Sequence, residues 1–370
     1  MKVYNENSLV SLSNSILKNF GAPQFHDSNP DVDKAIKGSK KVVAILFDGM
    51  GQNIVRKHLK EKSFIRQHYL TTINSTFPPT TAAATTAFLT GKYPIETGWL
   101  SWTQYFEEYK CNVILFRSKN FNTGELLIKE GEQHIADRYF PRTGIFELIE
   151  KYNKNTKAFL VQRFPIQNDG PKSLSSGIKK VTKLLKENDE CFIYFYWDSP
   201  DREMHAYGID SLRVHHQVKK ADRFVKRLVK ANPDTTFIFL ADHGHVNIKV
   251  LDICEHEDLY SLLDKPLTLE KRAPSFYVKS GKNAIFAVLF TKYYGNHFDL
   301  YTKQEVLDNH LFGEGEPAKG CLETFGDFVA ISKDEYGLFA SKEFNKIFKF
   351  KGHHGGGTTE ERLIDISVFK

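Results

Sequence analysis

The chain has 370 residues, 41% hydrophobic and 26% charged, enough for one large α/β core or two domains and ordinary for a globular protein. Its net charge of +6 comes from 51 basic and 45 acidic residues spread through the chain, which is too mild and dispersed for a nucleic-acid polymer as partner. Met1-Lys2-Val3-Tyr4-Asn5-Glu6-Asn7 has no apolar core of signal-peptide type, and no stretch nears the roughly eighteen apolar residues of a membrane span, so a cytoplasmic protein is expected.

Residues 8–20 carry apolar positions at helical spacing and predict a leading amphipathic helix, followed by a turn-rich connection over 21–33. The run Val42-Val43-Ala44-Ile45-Leu46-Phe47 reads as a strand covered on both faces, ending at the tight turn Asp48-Gly49-Met50-Gly51. A helix over 52–60 and a short strand over 70–75 lead to Ser75-Thr76-Phe77-Pro78-Pro79-Thr80-Thr81-Ala82-Ala83-Ala84. There the prolines stop the preceding element, a threonine caps a helix, alanines extend it and Gly91 ends it. A hydroxyl therefore lies at a helix N-terminus, where backbone N–H groups and the helix dipole favour an anion.

Trp99, Trp102, Tyr105, Phe106 and Tyr109 mark an irregular aromatic segment, and the polar stretch 116–137 reads as a surface excursion. A helix over 144–151, a strand over 158–161 and a helix over 174–187 follow. Cys191-Phe192-Ile193-Tyr194-Phe195-Tyr196-Trp197 is the second strongly apolar strand, running into Asp198-Ser199-Pro200-Asp201. A basic amphipathic helix spans about 210–231, with Val214, Val218, Ala221, Val225 and Leu228 as its inner stripe. The third such strand, over 236–241, ends in Asp242-His243-Gly244-His245. Residues 250–350 lose this rhythm, with strand-like runs at 275–279, 285–290 and 328–331. We expect a smaller inserted subdomain over 247–350 and a core made of 1–246 plus 351–370, closed by a strand over 365–369. The four cysteines lack C-x-x-C spacing, so neither a disulfide framework nor a cysteine zinc site is expected.

Strands alternating with helices predict an α/β protein with a mostly parallel sheet, whose ligands bind beyond the carboxyl ends of the strands. Asp48, Asp201 and Asp242 all fall at or just past such ends. Asp201 and His205 are spaced i, i+4 and share one helix face; Asp198 is read as that helix's cap. His353-His354 lies in a glycine-rich turn, where one of the two is expected to face a ligand. His245 is read as pointing elsewhere on an extended backbone, and His215-His216 as part of a solvated face. Pooled, the carboxylates and histidines suit a two-metal hydrolytic site, with zinc as the first choice and manganese or iron as alternatives. Coordination would activate a threonine hydroxyl that is otherwise a weak nucleophile.

Five motifs appear in one order: Phe47-Asp48-Gly49; Phe77-Pro78-Pro79-Thr80-Thr81 through Thr90-Gly91; Pro200-Asp201-x-x-x-His205; Ala241-Asp242-His243-Gly244; and Gly352-His353-His354-Gly355. Together they resemble the alkaline phosphatase superfamily, and within it the type I phosphodiesterase/nucleotide pyrophosphatase branch. The resemblance implies a three-layer α/β/α core and two divalent ions. One would be held by Asp201, His205 and His354, the other by Asp48, Asp242, His243 and the nucleophile. The nucleophile is placed by counting ten residues back from Gly91 to Thr81, with Thr80 second. The expected activity is hydrolysis of a small phosphodiester, pyrophosphate or nucleotide through a threonyl-phosphate. A phosphomonoesterase, phosphonate hydrolase or phosphomutase is the alternative, and a non-catalytic binding protein a further one. One departure stands out: in the stretch Thr97-Gly98-Trp99-Leu100-Ser101-Trp102, tryptophan occupies the place of an asparagine that helps hold the phosphoryl oxygen in the nucleotide pyrophosphatases. Trp102 and Tyr105 are therefore candidates for stacking on the substrate.

Overall fold

The computed structural model describes residues 7–162, 170–343 and 350–370. Met1 to Glu6, within the stretch read as lacking a signal peptide, lie outside the described residues.

Six strands form the central sheet: β1 (Lys41–Phe47), β2 (Tyr69–Asn74), β3 (Lys157–Gln162), β4 (Cys191–Trp197), β5 (Thr236–Leu240) and β6 (Leu363–Phe369). Their order is β2-β6-β5-β1-β4-β3, and only β6 runs against the others. The inner strands β1, β4 and β5 are buried almost throughout because helices cover both faces, hence their unbroken apolar runs. Strand alternation divides β4 between the two layers. Phe195 turns to one side, where it stacks on Phe224 at 4.7 Å, and Tyr194 to the other, where it meets Phe88 at 5.3 Å.

One helical layer contains α1 (Leu9–Asn19), which packs on α2 (Thr81–Thr90). On the opposite face α3 (Leu174–Glu187) packs on α5 (Leu212–Ala231), and the short α4 (Asp201–Tyr207) lies between β4 and α5 in the chain. The expected inner stripe of α5 is fully buried, with Phe224 added to it. Asp198 does not cap α4: Pro200 occupies the N-cap position, and Asp198 lines a cavity instead.

Three segments differ from the sequence reading. The run at 285–290 is not a strand but the middle of α6 (Asn283–Tyr294). A short apolar run does not reveal its period; here Phe286, Phe290 and Tyr294 face inward at i, i+4 and i+8, while Ile285 and Val288 are exposed. The aromatic segment after Trp99 is a hairpin, Thr103–Phe106 against Cys111–Ile114, rather than irregular chain. The polar stretch after it is not wholly superficial, since Ile135 and Ala136 are buried. Those residues join an apolar cluster that ties the hairpin to Leu269, Ala273, Val329 and Ile331. The last two belong to Phe328–Ser332, a strand of a separate four-stranded antiparallel sheet.

Candidate active site

Strands β5, β1 and β4 are neighbours with one direction, so the residues after them arrive at one edge of the sheet. Asp48 follows β1 directly, Asp242 comes two residues after β5, and Asp201 opens α4 four residues after β4. Glycines let these turns meet. Gly49 has φ +70°, and a Cβ there would lie 2.7 Å from Met204 and 3.1 Å from Asp201. Its N–H donates to Asp242 Oδ1 at 2.9 Å. Gly244 has no room either: a Cβ would fall 1.9 Å from the Glu360 carbonyl oxygen.

The histidines are oriented by backbone carbonyls. Nδ1 of His205 lies 3.0 Å from Gly352 O, that of His243 lies 2.9 Å from Gly244 O, and that of His354 lies 3.0 Å from Pro79 O. A proton held at each Nδ1 leaves the Nε2 lone pair facing the carboxylates, the usual arrangement of a ligating imidazole.

Two groupings result. Around Asp201, the Nε2 atoms of His205, His245 and His354 lie 3.4, 3.4 and 3.7 Å from its oxygens. Around Asp48, Thr81 Oγ lies 3.4 Å from both carboxylate oxygens and 3.2 Å from His243 Nε2. His243 Nε2 is in turn 3.4 Å from Asp48 and 3.6 Å from Asp242. Most of these separations exceed the roughly 2.7–3.0 Å of good hydrogen bonds. They match the edge of a tetrahedron with metal–ligand bonds of about 2.0–2.1 Å, which is roughly 3.3 Å. Asp201 Oδ1, Asp242 Oδ2 and His245 Nε2 are also buried without a hydrogen-bond partner among the described residues. Such orphaned atoms are costly unless something else meets them.

Charge tells the same story. Burial, together with the neighbouring Asp242 and Asp201 charges, drives the Asp48 carboxyl well above its ordinary range, although Tyr196 donates a hydrogen bond to it. Burial also raises Asp242, against the pull of His243. Asp201 is raised by burial but more strongly lowered by His205 and His245, and stays below the ordinary carboxylate range. Burial pushes His245 down to about 4 and His354 well below its ordinary value. Three buried carboxylates held this close repel one another when ionised, and a divalent cation removes that repulsion. The donor set fits such ions.

The site opens into a cavity of about 570 Å³. Asp48, Thr81, Asp201, His205, His353 and His354 line its inner end; Trp102, Phe116, Phe121 and Phe350 are among its outer walls.

The sequence matches the family model of type I phosphodiesterase / nucleotide pyrophosphatase over residues 42–356. The chain belongs to this family. As a family member it is a phosphoric ester hydrolase, and metal dependence is a family trait. Its fold is similar to that of murine ectonucleotide pyrophosphatase/phosphodiesterase 5, solved as an inactive threonine-to-alanine variant in complex with AMP. The TM-score is 0.64 at 16% identity, over 89% of this chain and 87% of the other. The same murine protein without that change gives 0.64 at 17%, over 88% and 87%, and the human one 0.64 at 16%, over 89% and 87%. No curated protein matches the sequence. No helix among the described residues is long and apolar enough to cross a membrane.

Within this family member, Thr81 is the first residue of α2, and Thr80 is its N-cap, with a buried hydroxyl that has no partner among the described residues. Trp102 lines the cavity, and its backbone N–H donates to Glu270 Oε1 at 3.0 Å. Tyr105 does not line it: its ring lies 5.4 Å from that of Tyr277, with Lys265 above it. Sequence reasoning passed over His245. Val246–Asn247 pairs antiparallel with Gly352–His353, which swings His245 in beside His354. The histidine two residues after Asp242-His243 was the available signal. Glu361, which anchors the histidine loop, followed no motif.

Proposed function

We propose that this enzyme hydrolyses small phosphodiesters or pyrophosphates with two divalent cations, through a covalent intermediate on Thr81. The observation that carries the reading is the set of 3.2–3.6 Å separations joining Thr81 Oγ, Asp48, Asp242 and His243 beside the Asp201 group. We assign Asp48, Asp242, His243 and Thr81 to one ion, and Asp201, His205 and His354 to the other. Zinc is the first choice because the ligands are imidazole and carboxylate at tetrahedral spacing; manganese is the second. When bound, the ions supply Lewis acidity: they lower the hydroxyl pKa of Thr81 and neutralise charge on the phosphoryl group.

The residues do the rest. Thr81 stands at the N-terminus of α2, whose first N–H groups have no intrahelical acceptor and so receive a phosphoryl oxygen. Its Oγ–H faces the Asp48 carboxylate. Attack forms the Oγ–P bond, breaks the P–O bond to the leaving group and gives that group a proton. Water then attacks phosphorus, the Oγ–P bond breaks, and the threonine hydroxyl is restored. A nucleotide is the favoured substrate: the murine relative binds AMP, and aromatic walls beyond the site offer a stacking surface. Trp102 remains a candidate stacking residue. Tyr105, placed outside the cavity, is set aside. We also take 1–246 with 351–370 as the catalytic core and 247–350 as an insertion, whose Leu269, Glu270 and Phe339 wall the cavity.

The direct test is turnover of bis-p-nitrophenyl phosphate against p-nitrophenyl phosphate by protein loaded with zinc or manganese. The diester is expected to be cleaved faster; a monoester preference transfers the assignment to a phosphomonoesterase, and no turnover of either sinks the proposal. Asp242→Asn is expected to lose one of two ions and at least about 100-fold in rate, since a neutral amide is a poorer ligand. Elemental analysis that still finds two ions per chain refutes that ligand's role.

A further inference from the structure

The stretch 247–350 puts a carboxylate into the catalytic cavity that none of the five sequence motifs contains. Glu270 is 5% exposed and lines that cavity together with His353 and His354. Its stem lies against the histidine loop: a Cβ on Gly355, the residue after His354, would fall 2.8 Å from Glu270 Cβ. The His354 ring in turn stacks on His243 at 3.8 Å, and His243 Nε2 is 3.2 Å from Thr81 Oγ. A short chain of contacts thus joins Glu270 to the oxygen assigned as nucleophile.

The carboxylate is fixed on one side only. Oε1 accepts from Ser101 Oγ and from the Trp102 backbone N–H, both at 3.0 Å, while Oε2 has neither a hydrogen bond nor an ion pair among the described residues. Leu269, just before it, holds φ +65°, a left-handed conformation that is costly for a residue with a Cβ. Such strain persists where the surroundings over-determine it, often at a ligand. The cavity's cations stand at its outer wall. Lys271 carries its ammonium to 5.2 Å from the Phe121 ring and 5.8 Å from Phe339, and Arg202 is 61% exposed and paired with Glu203. Exposed charges are screened by salt in a way that a buried one is not.

We propose that Glu270 determines specificity: its fixed negative charge on the cavity wall disfavours phosphomonoesters and so selects phosphodiesters. This deepens the diester reading above and rests on it. A diester carries one negative charge, whereas a monoester, whose second proton leaves near pH 6, carries about 1.5 to 2 at neutral pH. Divalent cations attract the more highly charged ester more strongly, so a preference for diesters needs a repulsive element against the monoester. The Glu270 carboxylate is that element. It also engages Ser101 Oγ and the Trp102 N–H, so that neither donor is offered to a further phosphoryl oxygen.

Glu270→Gln isolates the charge, because the amide oxygen still accepts from Ser101 and Trp102. In metal-loaded protein, the ratio of kcat/KM for p-nitrophenyl phosphate to that for bis-p-nitrophenyl phosphate is expected to rise at least about tenfold in this variant. Inorganic phosphate, used as a competitive inhibitor, is expected to bind the variant more tightly by a similar factor. Ser101→Ala loosens the hold on the carboxylate but keeps its charge, and is expected to leave the ratio within about twofold of wild type. If Glu270 only braces the loop, the two substitutions act alike. A ratio unmoved by Glu270→Gln, or raised as much by Ser101→Ala, overturns the inference, and diester turnover by the wild type then leaves the parent reading intact. Wild-type protein that turns over neither ester, or favours the monoester, overturns both.

Discussion

Replacing Thr81 with alanine is expected to lower kcat on a phosphodiester by about 10⁴-fold or more, with the fold and the Asp201-centred ion retained. The expectation comes from the position of a single oxygen. Thr81 Oγ is 3.4 Å from both Asp48 oxygens and 3.2 Å from His243 Nε2, at the start of a helix that faces the cavity. Its methyl group contributes little beyond packing, so Thr81→Ser should keep measurable activity while alanine does not. Thr80→Ala is the control. Its hydroxyl is one residue away, at the N-cap, and its loss should cost less than about tenfold. Acid-quenched wild-type enzyme should carry the phosphoryl group on the peptide containing Thr81. A Thr81→Ala protein with near-normal turnover, or a Thr80→Ala protein that is the more damaged of the two, would overturn the choice of nucleophile.

The second large effect is on stability. Glu361→Gln is expected to cost about 3–5 kcal/mol, because it strands a buried cation. Arg272 and Glu361 are both fully buried, and the guanidinium binds the carboxylate through Nε at 2.6 Å and Nη2 at 2.8 Å. Glu361 also accepts from Gly356 N–H at 2.8 Å and Thr358 Oγ at 2.7 Å. Burial alone would raise this carboxyl, but the Arg272 charge and its hydrogen bonds hold it below the ordinary range. Its contribution is therefore present at neutral pH and is lost only as acid protonates it in the folded state. Urea unfolding reads the cost, and metal affinity should fall with it, since the same carboxylate fixes the loop that carries His354. Removing both partners, as in Arg272→Met with Glu361→Leu, should recover most of the stability. A single substitution that costs under about 1 kcal/mol would show that the loop is held by other means.

What could be read in advance depended on whether a residue's role is local. The strands β1, β4 and β5 announce themselves because burial on both faces leaves no polar interruption, and Asp48, Asp201 and Asp242 follow from where those strands end. Residues 285–290 misled for the same reason: six apolar or small residues in a row fit a strand as well as the helix that buries only every fourth of them. His245 was hidden by tertiary structure, since its direction depends on a two-residue ladder with Gly352–His353, over a hundred residues away. The Arg272–Glu361 pair has no local signature at all. Two opposite charges 89 positions apart look like solvated surface until the fold encloses them.

Strand β6 has a bearing on assembly. It is the last of the six to leave the ribosome, yet its place is inside the sheet, between β2 and β5, and against the direction of both. Until it is made, the nascent protein carries two open strand edges, the kind of surface that recruits other chains. His354 precedes that strand by nine positions, so the enzyme cannot mature piecemeal. A copy cut short before Leu363 should be both inert and prone to clump.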